Sequence, residues 1–191
     1  MLAVLPRGVL EPARLRPFQN KYLGDVEVGL LVALLSSVNP RVMIEIGVNE
    51  GRTAAQILRA IPTLERYIGI DVLPDHEPTL ECQRSEIPRT AGIYAAPDER
   101  FWLLVCEGGS TRLGPQDLEP ADCCFIDGDH SRAAVEHDSF LSRALVRPGG
   151  IVIWHDAGNE AVEVTGVLEQ LSGQGWPITA IEGSWLAYMR V

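Results

Sequence analysis

Short apolar runs alternate with segments of helical periodicity along the chain. Five runs, rich in β-branched residues, occupy residues 41–47, 66–72, 101–108, 122–127 and 150–156. Continuous apolar runs of this length are typical of strands that are buried on both faces, as in a parallel sheet. The pattern therefore predicts five parallel strands at the centre of the fold.

Four amphipathic segments surround these runs. Apolar residues recur at helical spacing within 25–37, 51–61, 131–146 and 160–172. In the third segment, Ser131 is the expected N-cap. The residues expected to face the core there are Ala134, Phe140, Leu141, Ala144 and Leu145. Strands alternating with helices indicate βαβ units and a doubly wound α/β sheet.

The end of the chain has a different pattern. "PITAIEG" and "WLAYMRV" predict two strands that form an antiparallel hairpin across Gly183 and Ser184. The stretch 73–100 shows no period and predicts irregular structure with one short helix. We expect an N-terminal extension at 1–24 and a single domain at 25–191. Trp154 is expected in the core, and Trp176 at the surface or against the hairpin.

Composition and charge restrict the class of protein. The 191 residues suit one domain, and a net charge of −10 argues against a nucleic-acid partner, which needs Lys and Arg on its phosphates. No apolar run approaches the roughly 20 residues of a membrane span. The opening "MLAVLPRGVLEP" is too short and proline-broken for a signal peptide, so a cytoplasmic location is predicted. The four cysteines lack C-x-x-C spacing, and we expect buried, reduced thiols.

Polar residues follow the predicted strands, where an open α/β sheet binds its ligands. In "EIGVNEG", Gly47 permits a tight turn and Gly51 opens a helix, without the G-x-G-x-x-G or G-K-[ST] motifs. The next strand ends in Asp71, whose carboxylate can accept both hydroxyls of a ribose. Together these features favour a nucleoside site without a pyrophosphate; a helix-entry turn beside a solvated aspartate is the alternative.

Four segments resemble successive motifs of the class I S-adenosylmethionine-dependent methyltransferases, in the small-molecule O-methyltransferase branch. They are "VMIEIGVNEGRTA", "YIGIDV", "ADCCFIDGDHSRAAVEHD" and "LVRPGGIVIWHD", and the similarity covers about residues 25–190. The resemblance implies a Rossmann-like, mostly parallel seven-stranded sheet of order 3-2-1-4-5-7-6 with a C-terminal antiparallel hairpin. It also implies S-adenosylmethionine as the cofactor.

The resemblance assigns residues to the parts of this cofactor. Glu45, Gly47, Asn49 and Gly51 would line its methionine moiety, Asp71 would hold the ribose, and Asp127 would also contact the cofactor. Gly109 and Ser110 would flank the adenine, although the family usually has an acidic residue where Gly109 stands.

The resemblance also predicts a reaction centre. The fourth and fifth strands would be neighbours about 4.8 Å apart, so that Asp127, His155 and Asp156 converge beside the transferred methyl group. These three would hold Mg²⁺ or another divalent ion, with His155 in a place where metal-dependent relatives have an oxygen ligand. In a metal-free alternative, His130 or His155 is the general base and Asp127 orients it. Asp129 is expected to accept backbone bonds at the turn, and His137 to support the site or the core.

The predicted function is methyl transfer to an oxygen, or less readily a nitrogen, of a small molecule. The chain lacks N-P-P-[YF] and a Pro-Cys pair, which argues against DNA amino-group and cytosine C5 enzymes. Two alternatives are a catalytically degenerate cofactor-binding or accessory protein, and a nicotinamide-dependent oxidoreductase, against which the missing G-x-G-x-x-G counts. A homodimer is expected from base rates alone.

Overall fold

A computed structural model describes residues 1–15 and 22–191 of the chain. Its strands are β1 Ala3–Leu5, β2 Val42–Ile46, β3 Arg66–Val72, β4 Phe101–Cys106, β5 Ala121–Ile126, β6 Val146–Trp154, β7 Thr179–Ile181 and β8 Ala187–Arg190. Its α-helices are α1 Asp25–Ser36, α2 Arg52–Ala60, α3 Arg132–Leu145 and α4 Val164–Gly173. The expected short helix within 73–100 is a 3₁₀ turn at Glu81–Ser85. None of the helices in the described ranges is long and apolar enough to cross a membrane.

The strands form one sheet in the order β4-β3-β2-β5-β6-β8-β7-β1. Counted from β2, this is the predicted order 3-2-1-4-5-7-6, and β8 is antiparallel to both β6 and β7. The fold prediction is confirmed, except that the sheet has eight strands where seven were predicted. Residues 3–5 add β1 parallel to the edge strand β7, and three residues are too few to give a periodic signal. Residues 16–21 of the expected extension lie outside the described residues.

The register of the central strands aligns their carboxyl ends at one edge of the sheet. Ile46 is paired with Ile70 and with Ile126, and Ile126 is paired with Trp154. The residues immediately after these four therefore emerge side by side at one edge of the sheet. They are Gly47, Asp71, Asp127 and His155.

Helices cover both faces of this sheet. Helices α1 and α2 bury Leu31, Leu35 and Ile57 in one core cluster. On the other face, α3 and α4 enclose Leu141, Leu168 and the fully buried Trp154, as expected for that tryptophan. The apolar residues that recur at helical spacing in the first two predicted helices are buried, as expected: Val28, Leu31, Leu34, Leu35, Ala54, Ile57, Leu58 and Ile61.

The inner face of α3 differs from the prediction. Phe140 is 49% exposed and Ala144 is also exposed, whereas Asp138, Ser139 and Ser142 are buried. The two serines find partners in the sheet, since the Trp154 indole donates to Ser139 Oγ at 2.9 Å and Ser142 Oγ donates to Cys124 Sγ at 3.0 Å. A core tolerates buried hydroxyls that have hydrogen-bond partners. The spacing of apolar residues alone therefore predicted the wrong buried face for α3.

Two further expectations are corrected. Trp176 is only 5% exposed, because the ring of Phe140 packs edge-on against it at 5.2 Å and Arg143 covers its face. All four cysteines are free, as expected, but only Cys123 and Cys124 are buried, whereas Cys82 is exposed.

Candidate active site

A cavity of about 620 Å³ opens at the carboxyl ends of the strands. Six of the predicted cofactor residues line it: Gly47, Asn49, Asp71, Gly109, Ser110 and Asp127. His130, His137, His155 and Asp156 lie on the same walls. A smaller cavity of about 260 Å³ shares Gly47, Asn49 and Asp127 with it and adds Arg52 and Arg89. The strand-end residues are thus gathered around one cleft.

Gly47 allows the loop after β2 to pack directly on the loop after β5. Its φ is +85°, and a Cβ placed there would lie 2.1 Å from the carbonyl oxygen of Asp127. Backbone bonds of 2.8 Å fix the turn on both sides, from Gly47 N to Ile70 O and from Asp127 N to Ile46 O. Only glycine combines this conformation with this approach.

The carboxylate of Asp71 is held by backbone donors. Asn49 N donates to Oδ2 at 2.6 Å, and Val72 N donates to Oδ1 at 2.7 Å. Burial raises the pKa of Asp71, and these backbone bonds offset only part of that effect. Each oxygen keeps a lone pair, so the fixed carboxylate can accept further hydrogen bonds from the cavity.

Glu45 and Gly51 support the loop from behind and are absent from the cavity walls. Glu45 is buried, and the Tyr67 hydroxyl donates to its Oε2 at 2.8 Å. Burial raises the pKa of Glu45 well above its ordinary value. Gly51 has a φ of +80°, and a Cβ there would lie 2.9 Å from Gly92 Cα. Both residues shape the loop without facing the cleft.

The far end of the cavity is formed by the turn at Gly109 and Ser110. The conformation of Gly109 is left-handed, with a φ of +56°. His137 reaches this turn from α3, and its Nε2 lies 3.0 Å from Ser110 O. His137 therefore supports the cavity wall, one of the two roles expected for it.

Three side chains converge between the ends of β5 and β6. One ligand atom each from Asp127, His130 and Asp156 lies within 4.8 Å of the others. His130 Nε2 is 3.5 Å from Asp127 Oδ1 and 3.4 Å from Asp156 Oδ2, yet it makes no well-formed hydrogen bond within the described chain. The predicted metal ligands were Asp127, His155 and Asp156, whereas the cluster in the structure contains His130 and not His155.

Carboxylates surround His155 at both ring nitrogens. Its Nδ1 lies 3.1 Å from Asp127 Oδ1 and 3.0 Å from Asp156 Oδ2, and its Nε2 lies 3.4 Å from Glu27 Oε2. Burial lowers the pKa of His155, but these carboxylates outweigh it and raise the pKa to about 12. Burial acts to raise the pKa of Asp127, but the two neighbouring histidines outweigh this effect and lower the pKa to about 2. These contacts favour the protonated form of His155. Its roles as base and metal ligand stay predictions.

Several supporting residues carried no motif in the sequence. Glu27 on α1 also accepts a bond of 2.7 Å from Trp185 N, and Asn159 Nδ2 donates to Asp156 Oδ1 at 2.6 Å. Gln83 accepts from His130 N at 2.8 Å and donates to Gly128 O at 3.0 Å. No spacing rule signals such contacts between distant segments.

Asp129 has the structural contacts expected of it. Its Oδ1 accepts a bond of 2.8 Å from Ser131 N at the start of α3, and Thr79 Oγ1 donates to its Oδ2 at 3.2 Å. The side chain thereby ties the irregular stretch 73–100 to the loop that carries His130.

Comparisons with known proteins agree with this architecture. The Methyltransf_24 model, a methyltransferase domain, matches residues 44–157. No curated protein sequence matches the chain. Cofactor-bound Rv0187 from MTB superposes with a TM-score of 0.64 at 18% identity, over 91% of this chain and 83% of that chain.

Two further solved structures have the same fold. The O-methyltransferase from Bacillus cereus, in complex with SAH, has a TM-score of 0.59 and 16% identity over 88% of this chain and 82% of its own. TomG from Streptomyces achromogenes, in complex with SAM, has a TM-score of 0.56 and 17% identity over 88% and 81%. At these identities the similarity concerns the fold alone.

The family match spans more than half of the chain and contains Gly47, Asp71, Asp127, His130, His155 and Asp156 of the cleft. It argues against the alternative of a nicotinamide-dependent oxidoreductase. The chain belongs to the Methyltransf_24 family of methyltransferase domains, with the Rossmann-like fold of the class I S-adenosylmethionine-dependent enzymes.

Proposed function

We propose that this methyltransferase moves the methyl group of S-adenosylmethionine to a hydroxyl oxygen of a small molecule. One observation carries the proposal. The buried His130 Nε2, without a hydrogen bond in the described chain, faces Asp127 and Asp156 in the cavity that Asp71 and the Gly47 loop also line. A proton-accepting group thus shares one cleft with the features expected of a nucleoside site.

The cofactor has a natural orientation in this cleft. Asp71 would accept the ribose hydroxyls, and the turn at Ser110, supported by His137, would enclose the adenine. The guanidinium groups of Arg52 and Arg89, which line the smaller cavity, would attract the carboxylate of the methionine moiety. The sulfonium would then lie near Asp127, which borders both cavities.

The chemistry requires only alignment and removal of one proton. A lone pair of the acceptor oxygen attacks the methyl carbon while the bond from that carbon to sulfur breaks, which leaves S-adenosylhomocysteine. The hydroxyl proton passes to His130 Nε2. Burial lowers the pKa of His130, but the nearby carboxylates, Asp127 first and then Asp156 and Glu86, outweigh it and raise the pKa above its ordinary value. The imidazolium of His155 fixes Asp127 and Asp156 around this base.

The same residues fit a divalent cation. Asp127, His130 and Asp156 would hold it through two carboxylate oxygens and one imidazole nitrogen. The two carboxylates outnumber the single positive charge of His155, which leaves negative charge for a cation to neutralise. When bound, such an ion would lower the pKa of an acceptor hydroxyl. His130 thus has two candidate roles, ligand and base.

Calorimetry tests the proposal directly. S-adenosylmethionine is titrated into the wild type, Asp71→Ala and Asp127→Ala, first with EDTA and then with Mg²⁺. We expect binding to the wild type and a loss of at least about tenfold in Asp71→Ala, because a buried acceptor for two hydroxyls is removed. A Mg²⁺-dependent heat that is present in the wild type and missing in Asp127→Ala would place the cation at the strand-end carboxylates.

Two results would contradict parts of the proposal. If S-adenosylmethionine fails to bind the wild type with or without Mg²⁺, the methyltransferase function is lost. If it binds but the protein forms no S-adenosylhomocysteine with any hydroxyl compound, the accessory, catalytically degenerate alternative is favoured.

A further inference from the structure

The loop that carries His130 is held by segments that are distant in sequence. His130 N donates to Gln83 Oε1 at 2.8 Å, and Glu163 N donates to His130 O at 3.2 Å. The first partner comes from the irregular stretch 73–100, and the second lies at the start of α4. The position of His130 in the cleft therefore depends on contacts from outside its own loop.

Gln83 bonds this loop at two points. Its Oε1 accepts from His130 N, and its Nε2 donates to Gly128 O at 3.0 Å. A primary amide offers an acceptor and a donor side by side, whereas an ionised carboxylate only accepts and lysine and arginine only donate. The side chain is 6% exposed, so water has little access to replace these bonds. Glutamine thus matches both backbone groups of the loop at once.

The Gln83 backbone is itself fixed by the 3₁₀ turn Glu81–Ser85. Gln83 N donates to Leu80 O at 3.0 Å, and Glu86 N donates to Gln83 O at 2.9 Å. The turn is also tied to the loop after β2, because Asn49 Nδ2 donates to Glu86 O. The amide of Gln83 is therefore held between the loops that follow β2 and β5.

The imidazole of His130 projects from this loop into the reaction centre. Its Nε2 lies 3.5 Å from Asp127 Oδ1 and 3.4 Å from Asp156 Oδ2. The direction of a side chain follows its backbone, so a shift of the His130 backbone would displace the imidazole from both carboxylates. Reacting groups tolerate little displacement, since a misplacement of about 1 Å can cost about 100-fold in rate.

From these contacts we infer that Gln83 is the positioning residue of the reaction centre. Its amide fixes the His130 backbone and, through that backbone, the direction of the imidazole. The inference rests on the proposed function for the chemical role of His130, and it applies whether that role is base or ligand. The stretch 73–100 thereby contributes to the chemistry as well as to the cavity wall.

NMR of the free protein tests the inference without turnover. The chain has four histidines, so a His130→Ala variant identifies the imidazole signal of this residue. Gln83→Met keeps the length of the side chain and removes both bonds, whereas Gln83→Glu keeps an acceptor for His130 N and loses the donor to Gly128 O. The control is Thr79→Val, which breaks another bond between the same two segments, from Thr79 Oγ1 to Asp129 Oδ2 at 3.2 Å.

We expect the His130 amide proton to exchange with solvent about tenfold faster in Gln83→Met than in the wild type, because one buried hydrogen bond is lost. The His130 imidazole signal should shift or split in both Gln83 variants and stay in place in Thr79→Val. The imidazole signal of His137 should not move in any variant, which shows that the fold is intact.

Two results would overturn the inference. One is an unmoved His130 imidazole signal in folded Gln83→Met, and the other is an equal shift in Thr79→Val. If Gln83→Met does not fold, the same comparison is made with Gln83→Glu. Calorimetry of S-adenosylhomocysteine with the wild type is a separate measurement, and absence of binding there would contradict the proposed function without changing the result for Gln83.

Discussion

Replacing Gly47 with alanine tests whether this turn positions the reaction centre. The new Cβ would lie 2.1 Å from Asp127 O, 2.4 Å from Asp127 C and 2.5 Å from Gly128 Cα. All three are backbone atoms, so no side chain can rotate away. The left-handed φ costs alanine about 1–2 kcal/mol, and overpacking adds about 1–3 kcal/mol. We therefore expect Gly47→Ala to lower the free energy of unfolding by about 2–5 kcal/mol.

A second glycine separates the two contributions. Gly149 has nearly the same φ, +86°, but a Cβ there would meet nothing within 4 Å. Gly149→Ala should therefore lose only the backbone contribution of about 1–2 kcal/mol. Urea unfolding followed by circular dichroism measures both losses, and calorimetry should show S-adenosylhomocysteine binding weakened in Gly47→Ala and intact in Gly149→Ala. Equal loss of stability in the two variants, with normal binding in both, would refute the assigned role of Gly47.

Substitutions at three further residues probe groups in and around the site. Burial raises the pKa of Asp138 from 3.8 to about 7, so the folded state keeps a proton that the unfolded state releases, and stability should fall as the pH rises between those values. Asp138→Asn should remove up to about 4 kcal/mol of this decline, and an unchanged pH slope in urea unfolding would contradict the assignment. Glu45→Gln, which keeps an acceptor for the Tyr67 hydroxyl, should change stability at pH 7 by less than about 1 kcal/mol, whereas Glu45→Ala should lose more than about 2 kcal/mol by the same measurement. His137→Phe, which lacks the nitrogen beside Ser110, should weaken S-adenosylhomocysteine binding by about fivefold in calorimetry, and unaltered affinity would exclude support of the adenine turn.

The strands and helices were predictable because their signal is local, whereas the order of the strands in the sheet was predicted from the family resemblance. Each buried strand is a continuous apolar run, and each helix between strands has its own periodicity. The face of α3 was not predictable in this way. Ser139 is buried because of Trp154, 15 residues later, and Ser142 because of Cys124, 18 residues earlier. From sequence alone, a serine in an amphipathic helix is assigned to the exposed face, because its buried hydrogen-bond partner is not yet known.

The same distinction applies to the candidate site. Gly47 and Asp127 follow strands directly, Asp71 lies at the end of one, and the rule that ligands bind at strand ends drew attention to all three. Glu27 and Gln83 come from segments without a motif. Gln83 reaches His130 across 47 residues of sequence, so only the folded chain brings them together. Which histidine stays free for a ligand depends on side-chain orientation, and no spacing rule gives that.

In the proposed reaction, the two histidines have different roles because their surroundings differ. His155 has carboxylates beside both ring nitrogens, which favours its protonated form and its contacts with Asp127 and Asp156. His130 faces the same two carboxylates, at distances of 3.5 and 3.4 Å, from the cavity side. A base must be neutral to accept a proton, and the pKa of His130 is raised. If His130 is the base, methyl transfer should therefore increase as the pH rises above the ordinary imidazole range, and a rate independent of pH there would favour the ligand role instead.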